Sequence, residues 1–406
     1  MDTARARLAH SHVLRRMGRF EEAAGALRLA LAGFERRGDH DDAVLAAALL
    51  AEALAKTRAP GASRRTLSEH PVTPDTAPEP AAGRFLALAV VRCTEGRYAA
   101  GAEAARHALA AARKVPGTRG QGLTARAFAL EAASLGLSGR LDQAREAGDQ
   151  ALAPAEAYGD PTLLGSVLST PRENTRRTNR PREAVRIGTR ALALAEQSGD
   201  PIAAAFERAN LAELRLLLEE PEPARALAEQ AVAGAEAYDA WCLPHALATM
   251  ARVRVFLGET AKATATVDRA DMVATSLGAA AGRSTRSAPR GPNWPRTRTV
   301  RTMRTLDGHT DDAPVLAVWA ELLSGRAESA MRLARTEVVR AERTGERLAE
   351  VEARIALGTS LSRLARTAEG ARELTRTETS AETLPYPAGA RRAEWARGLL
   401  GEAWRH

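Results

Sequence analysis

Apolar residues recur every three or four positions along most of the chain, which is the periodicity of amphipathic helices. Residues 201–238 show the pattern most clearly. A first predicted helix carries Ala204, Leu211 and Leu214 on one stripe and ends at Glu219–Pro223, because two prolines cannot continue a helix. A second predicted helix follows with a stripe of alanines. We interpret the stretch as one pair of closely packed antiparallel helices.

Eight turn-like segments repeat along the chain at a nearly constant step. They begin at Gly18, Gly96, Gly139, Asn179, Glu219, Gly258, Gly325 and Ala365. Their spacings are 78, 43, 40, 40, 39, 67 and 40 residues. A fixed period of about 40 residues predicts a stack of repeated units, in which each unit needs only its neighbours to bury its apolar face. We therefore predict an all-α solenoid of about nine helix pairs.

Composition agrees with this fold. Hydrophobic residues make up 45% of the chain and aromatic residues 4%, so the core must consist mainly of Ala, Leu and Val. Small side chains suit closely packed helices, whereas a β-sheet favours β-branched and aromatic residues. The sequence has no leader-like segment at its start and no apolar run long enough for a membrane helix, so we expect a cytoplasmic protein.

Two proline-rich stretches interrupt the period. Residues 59–82 hold five prolines, and we predict a loop there in place of a second helix. Residues 279–312 are rich in arginine and proline, and we predict a weakly ordered insertion. Pro171 should shorten or kink the first helix of its repeat. The predicted organisation is helical repeats over 1–58, 83–278 and 313–406, separated by the 59–82 loop and the 279–312 insertion.

The net charge of +8 is concentrated in one segment. Residues 279–306 contain seven arginines and no acidic residue, so the rest of the chain is near +1 (8 − 7). We interpret the segment as a solvated linker and expect no direct nucleic-acid binding. The alternative is that it contacts a phosphate backbone and stacks a base. The residues for that alternative are Arg286, Arg290, Trp294, Arg296 and Arg298.

Motifs that would indicate an enzyme are missing from the sequence. Residues 117–122 are rich in glycine but lack the lysine of a nucleotide-binding loop and follow no predicted strand. His10 and His12 stand two apart and fall on different faces of a helix. Cys93 and Cys242 lie in apolar helical patterns, and we interpret both as small buried residues. We predict no catalytic, cofactor or metal site and no enzymatic activity.

The repeats resemble the tetratricopeptide repeat (TPR) family, in its form of about 40 residues found in the MalT-like region of bacterial regulators of actinobacterial type. That pattern places a small residue five positions after the turn and another seven further on. The matching sets are Gly18, Ala23 and Ala30; Gly139, Ala144 and Ala151; Asn179, Ala184 and Ala191. Glu219, Ala224 and Ala231 match with the turn glycine replaced. The resemblance implies a right-handed superhelix.

It also implies a function. Such regions sense effectors or bind proteins in LuxR-type or antibiotic-regulatory-type transcriptional activators. The alternative is a free-standing scaffold or adaptor without a link to transcription. In TPR arrays the first helix of each pair lines the concave face, where a peptide, a protein or a small effector binds. The residues we assign to this groove are Arg208, Asn210, Glu213, Arg215, Arg252 and Arg254.

Overall fold

The computed structural model describes residues 3–257 except 58, 179, 239 and 240, and most of 259–273 and 318–397. Helices account for nearly all of these residues, and no strand occurs among them. The helices are α1 Thr3–Arg16, α2 Phe20–Arg37, α3 His40–Lys56, α4 Pro60–Glu69, α5 Pro78–Thr94, α6 Tyr98–Ala112, α7 Gly117–Leu137, α8 Leu141–Tyr158, α9 Pro161–Arg177, α10 Pro181–Gln197, α11 Pro201–Leu217, α12 Pro221–Ala237, α13 Leu243–Phe256, α14 Ala327–Thr344, α15 Arg347–Arg363 and α16 Thr367–Thr383.

Helix pairs stack along the chain, which confirms the predicted all-α repeat fold. Over α1 to α8, each helix contacts the next one, and the first helices α3, α5 and α7 also contact one another in turn. The chain divides into two compact units. Unit 1 contains residues 3–171 and 190–204, and unit 2 contains 172–189, 205–273 and the described part of 318–397.

The turns between paired helices use the left-handed backbone region. Six of the eight turn segments begin at such a residue, with φ of 71° at Gly18, 72° at Gly96, 78° at Gly139, 59° at Glu219, 76° at Gly325 and 57° at Ala365. Glycine adopts this conformation freely because it has no Cβ, whereas other L-residues incur a steric cost. The regular glycine ladder is therefore a backbone requirement. Asn179 and Gly258 lie outside the described residues.

Alanine and glycine stripes bring the helices close together. On α12 the four buried residues are Ala224, Ala228, Ala231 and Ala235, as the sequence predicts. Where α2 crosses α1, a Cβ added to Gly33 would lie 2.8 Å from the Cβ of Ala4. That separation is too short for two carbon atoms, so only glycine fits at this crossing.

The predicted loop over 59–82 is wrong. Helix α4 begins at Pro60, and α5 begins at Pro78 with Pro80 in its first turn. Proline is tolerated in the first turn of a helix, because the N–H that it lacks would have no helical acceptor there. The irregular connection is limited to residues 70–77.

Pro171 does not shorten α9, which runs from Pro161 to Arg177. A second internal proline, Pro154, lies within α8. The predicted insertion over 279–312 falls outside the described residues, and the prediction stays as it stands.

The turn geometry gives a prediction on stability. Gly96→Ala should lower the free energy of unfolding by about 1 kcal/mol, since alanine is strained in the left-handed region. Gly25→Ala is the matched control, because an added Cβ meets nothing within 4 Å at either site and Gly25 lies within a helix. That change should stabilise the protein by about 0.5–1 kcal/mol. Urea denaturation measures both, and equal effects would contradict the explanation.

Candidate functional site

A recess of about 220 Å³ lies in unit 1 among the first helices of successive repeats. Helices α1, α3, α5 and α7 contribute to its wall, together with the α8–α9 connection and the start of α9. The contributing residues follow helical spacing on α3 (Leu45, Ala48, Leu49, Glu52) and on α7 (Arg119, Gly122, Leu123, Arg126). Positions three and four apart share one face of a helix, so each helix turns one continuous stripe towards the recess.

A buried carboxylate, Glu52, forms the charged centre of the recess. Arg126 Nη2 donates a hydrogen bond to Glu52 Oε1 at 2.9 Å, and Arg15 pairs with the other carboxylate oxygen. The Glu52 side chain is only 9% exposed. Burial alone would raise its pKa, but the guanidiniums of Arg126 and Arg15 outweigh burial and hold the pKa below its ordinary value. Glu52 is therefore a charged group that two cations share.

His12 lies beside the arginines of the recess. Its pKa is lowered, first by burial and then by Arg15, Arg119 and Arg126, while Glu52 opposes them. The imidazole is therefore neutral at neutral pH. Arg119 itself lies 2.6 Å from Glu79 in a partly exposed ion pair.

The apolar part of the recess depends on two glycines. Leu45, Leu49, Leu123 and Leu163 line it together with Tyr158. A Cβ on Gly122 would lie 2.9 Å from two carbons of the Tyr158 ring, and a Cβ on Gly83 would lie 3.3 Å from Leu45 Cδ1. The absence of a side chain at Gly122 allows the tyrosine to lie directly against α7. No sequence motif indicated this recess, because its residues come from six helices and the connection before α9.

In unit 2 the structure brings together three of the six residues predicted to line the groove. Glu213 on α11 pairs with Arg252 on α13 and accepts a hydrogen bond from Thr249 Oγ1 at 3.0 Å. Asn210 Oδ1 lies 3.3 Å from His245 Nε2. Burial would raise the pKa of Glu213, but Arg252 and other nearby groups lower it overall. These residues form a polar seam between neighbouring first helices.

The other predicted groove residues are placed differently. Arg215 donates to Glu220 Oε2 at 2.5 Å, just beyond the end of its own helix. Arg254 bonds to Thr266 Oγ1, twelve residues along the chain. Arg208 is half-buried on α11. No partner is present, so the assignment of all six to a groove stays a prediction.

Aromatic rings extend the α11–α13 seam. The ring of Phe206 lies 5.2 Å from the ring of Trp241 and 5.5 Å from that of His245, measured between centroids. Trp241 remains 40% exposed. The residues proposed for nucleic-acid contact, Arg286, Arg290, Trp294, Arg296 and Arg298, lie outside the described residues.

Buried ion pairs occur elsewhere in unit 2, and the sequence did not indicate them. Arg172 Nε and Glu207 Oε2 are 3.0 Å apart, with side chains 4% and 5% exposed. Arg177 Nη2 lies 3.0 Å from Glu346 Oε1, and Arg340 also pairs with Glu346. Ion pairs as dry as these stabilise only when both partners are present.

Within the described parts of the chain, no group of three or more His, Cys, Asp or Glu residues is placed to hold a metal ion. None of the described helices is long and apolar enough to cross a membrane.

No family model matches the chain, and no curated protein matches it. Solved structures do resemble it. A Rap protein in complex with competence and sporulation factor superposes with a TM-score of 0.58 at 12% identity, over 90% of this chain and 99% of that one. The apo quorum sensor NprR from B. thuringiensis gives 0.49 at 12% identity, over 92% and 99%. A signal transduction ATPase with a tetratricopeptide repeat sensor from Pyrococcus horikoshii gives 0.48 at 13% identity, over 93% and 55%.

The first of these likenesses shows a shared fold. The chain is a TPR-like helical-repeat protein, in agreement with the helix pairs, the turn ladder and the alanine stripes described above.

The buried pairs give a prediction on stability. Glu207→Ala should lower the free energy of unfolding by about 3 kcal/mol, because the buried guanidinium of Arg172 loses its nearer carboxylate and keeps only Glu173, at 3.8 Å. Glu22→Ala is the matched control, since its pair with Arg19 is about half exposed at 49% and 55%. The control should cost less than about 1 kcal/mol. Chemical denaturation measures the free energy of unfolding of both variants. A small decrease in both would contradict a water-excluded ion pair between Arg172 and Glu207.

Glu173 gives a prediction on pH dependence. Burial alone would raise its pKa, but Arg176, Arg172 and Arg177 lower it from 4.5 to about 2. A depressed pKa stabilises the fold at pH values above the unfolded pKa, and this stabilisation is lost as the pH falls from about 4.5 towards 2. Between pH 5 and pH 3 the free energy of unfolding should therefore decrease less steeply for Glu173→Gln than for the wild type. The same dependence on pH in both proteins would contradict a lowered pKa of Glu173.

Proposed function

We propose that this protein is an interaction and sensing module that binds an extended peptide or a segment of a partner protein along the inner faces of its first helices. The unit 1 recess carries the proposal. It joins a charged group, Arg15–Glu52–Arg126, to an apolar wall of leucines and Tyr158. Such a combination suits a protruding side chain or a chain end better than a flat surface does.

Supporting observations come from the fold. Within unit 1, the first helices α1, α3, α5 and α7 all line the recess, so that a bound strand can contact several of them in turn. A Rap protein with this fold was solved in complex with competence and sporulation factor. The polar and aromatic seam between α11 and α13 in unit 2 offers a second place for contact, with Trp241 partly exposed.

We extend the proposal to the cellular role. The module serves as the sensing region of a LuxR-type or antibiotic-regulatory-type transcriptional activator, acts in the cytoplasm and has no enzymatic activity of its own. The resemblance of the turn and alanine positions to MalT-like repeats supports this extension. A free-standing scaffold is the alternative, and a DNA-binding or ATPase partner encoded beside this chain would favour the regulator.

Peptide binding can be tested with a library of random heptapeptides displayed on phage and selected on the full chain. The enriched peptides are then synthesised, and calorimetry measures their affinity for the wild type and for the Arg119→Glu variant. The variant should bind them at least about tenfold more weakly than the wild type, because the substitution reverses a charge that lies at the recess. Arg145→Glu makes the same change on the exposed surface of α8 and should leave the affinity unaltered.

Two results would contradict the proposed function. One is a selection that enriches no peptide on the correctly folded chain. The other is a set of peptides whose affinity falls equally for both charge reversals, since that would place binding outside the recess.

A further inference from the structure

Three arginines and three carboxylates line the recess, so its formal charges balance as a whole, but the charges in contact at Glu52 do not. Two guanidiniums, Arg15 and Arg126, contact the single buried carboxylate of Glu52. Arg119 already pairs with Glu79. Asp160, the remaining acid of the wall, accepts a hydrogen bond from the backbone N–H of Thr162 at 3.0 Å and so caps the start of α9.

One buried hydrogen-bond donor is also left over. Arg15 Nε is buried and has no acceptor among the described residues. A buried donor without an acceptor is costly, and a ligand oxygen removes the cost. The second guanidinium at Glu52 and the unused donor of Arg15 both favour an anion, and the fork of a guanidinium matches the two oxygens of a carboxylate.

The size and lining of the recess restrict the rest of the ligand. Its volume of about 220 Å³ is smaller than the roughly 300–1,000 Å³ of sites for drug-sized molecules. Leucines from α3, α7 and α9 face the space next to the arginines, and the Tyr158 ring bounds it. A short aliphatic body fits this wall, whereas a second charged group would lie against leucine.

We propose that the recess binds a small monocarboxylic acid with a short aliphatic body, and that Glu52 competes with this ligand for Arg15 and Arg126. The assignment rests on the sensing part of the proposed function, because it names the ligand class of the same recess, and there it replaces the side chain or chain end of a peptide with a free small acid. The ligand carboxylate bonds to the two guanidiniums, and its aliphatic part lies against the leucines. Glu52 keeps the arginines paired when the recess is free, and so it weakens the binding of any carboxylate.

If Glu52 competes with the ligand for the two arginines, removal of its charge should increase the affinity for a carboxylate. Glu52→Gln keeps the shape of the side chain and removes its charge, so it should tighten carboxylate binding by about tenfold. If Glu52 had only a structural role, the same substitution would have the opposite effect. The loss of a buried ion pair would loosen the site and lower its affinity for every ligand. Arg126→Gln should weaken binding by about tenfold.

The test uses calorimetry on the full chain with hexanoate and with hexanamide, its neutral counterpart. We expect hexanoate to bind the wild type at least about tenfold more tightly than hexanamide. Arg145→Gln, on the exposed surface of α8, is the control and should change neither affinity. Equal binding of acid and amide would overturn the proposal, and so would weaker binding of hexanoate by a folded Glu52→Gln chain. If Glu52→Gln does not fold, hexanoate affinity unchanged by Arg126→Gln overturns it as well.

A separate arm distinguishes this inference from the proposed function. The phage-selected peptides are titrated with a free and with an amidated C-terminus. If Arg119→Glu weakens peptide binding but hexanoate does not bind, the small-acid assignment is wrong and the peptide-binding proposal is retained. If hexanoate binds as expected and no peptide is enriched, peptide binding falls and the small-acid site stands. If only peptides with a free C-terminus bind, the carboxylate comes from a chain end, and the small-acid assignment is wrong.

Discussion

Helices that touch through alanine and glycine lie close together, and the rest of the molecule follows from that close approach. Four alanines form the buried stripe of α12, and Gly33 meets Ala4 where no larger residue fits. Contacts between small side chains bury little apolar area per residue, so the fold is stabilised by the sum of such contacts over many repeats. The largest fully buried side chains include Phe34 and Leu27 of α2 and Leu86 of α5.

Charged groups between the helices follow two different arrangements. In unit 2, Arg172 pairs with Glu207 and also lies 3.8 Å from Glu173, and Arg177 and Arg340 share Glu346, so several cations and anions there form a network. Around Glu52 in unit 1, two cations hold one anion, and the arrangement has a charge to spare. The first arrangement fixes neighbouring helices, whereas the second leaves an attraction that a bound molecule can satisfy.

The sequence predicted the repeat fold because its two determinants are local. A left-handed turn needs glycine at a fixed place, as at Gly96, and a close helix crossing needs alanine at regular spacing. The five prolines of residues 59–82 predict a loop in place of α4, but Pro60 stands in the first turn of that helix, where proline is tolerated. The error concerned the position of a residue within a helix, and composition carries no information on that.

The candidate site was harder to predict, for a different reason. Glu213 and Arg252 are in contact because equivalent positions of adjacent repeats come together in a stack, while their assignment to a groove stays a prediction. Arg254 was assigned to the same surface, but its guanidinium bonds to Thr266 within its own repeat. The recess around Glu52 draws on residues more than seventy positions apart, such as Glu52 and Arg126. Only the packing of successive helices brings such distant residues into contact.

The shared turn geometry has a consequence for how this protein can evolve. A repeat that begins and ends with the same backbone conformation can be duplicated or deleted as a unit, because the new junction reproduces the old one. The recess does not have this freedom, since α1, α3, α5 and α7 each supply a different part of it. Gain or loss of repeats should therefore be tolerated beyond α9, while the order of the first four repeats must be kept.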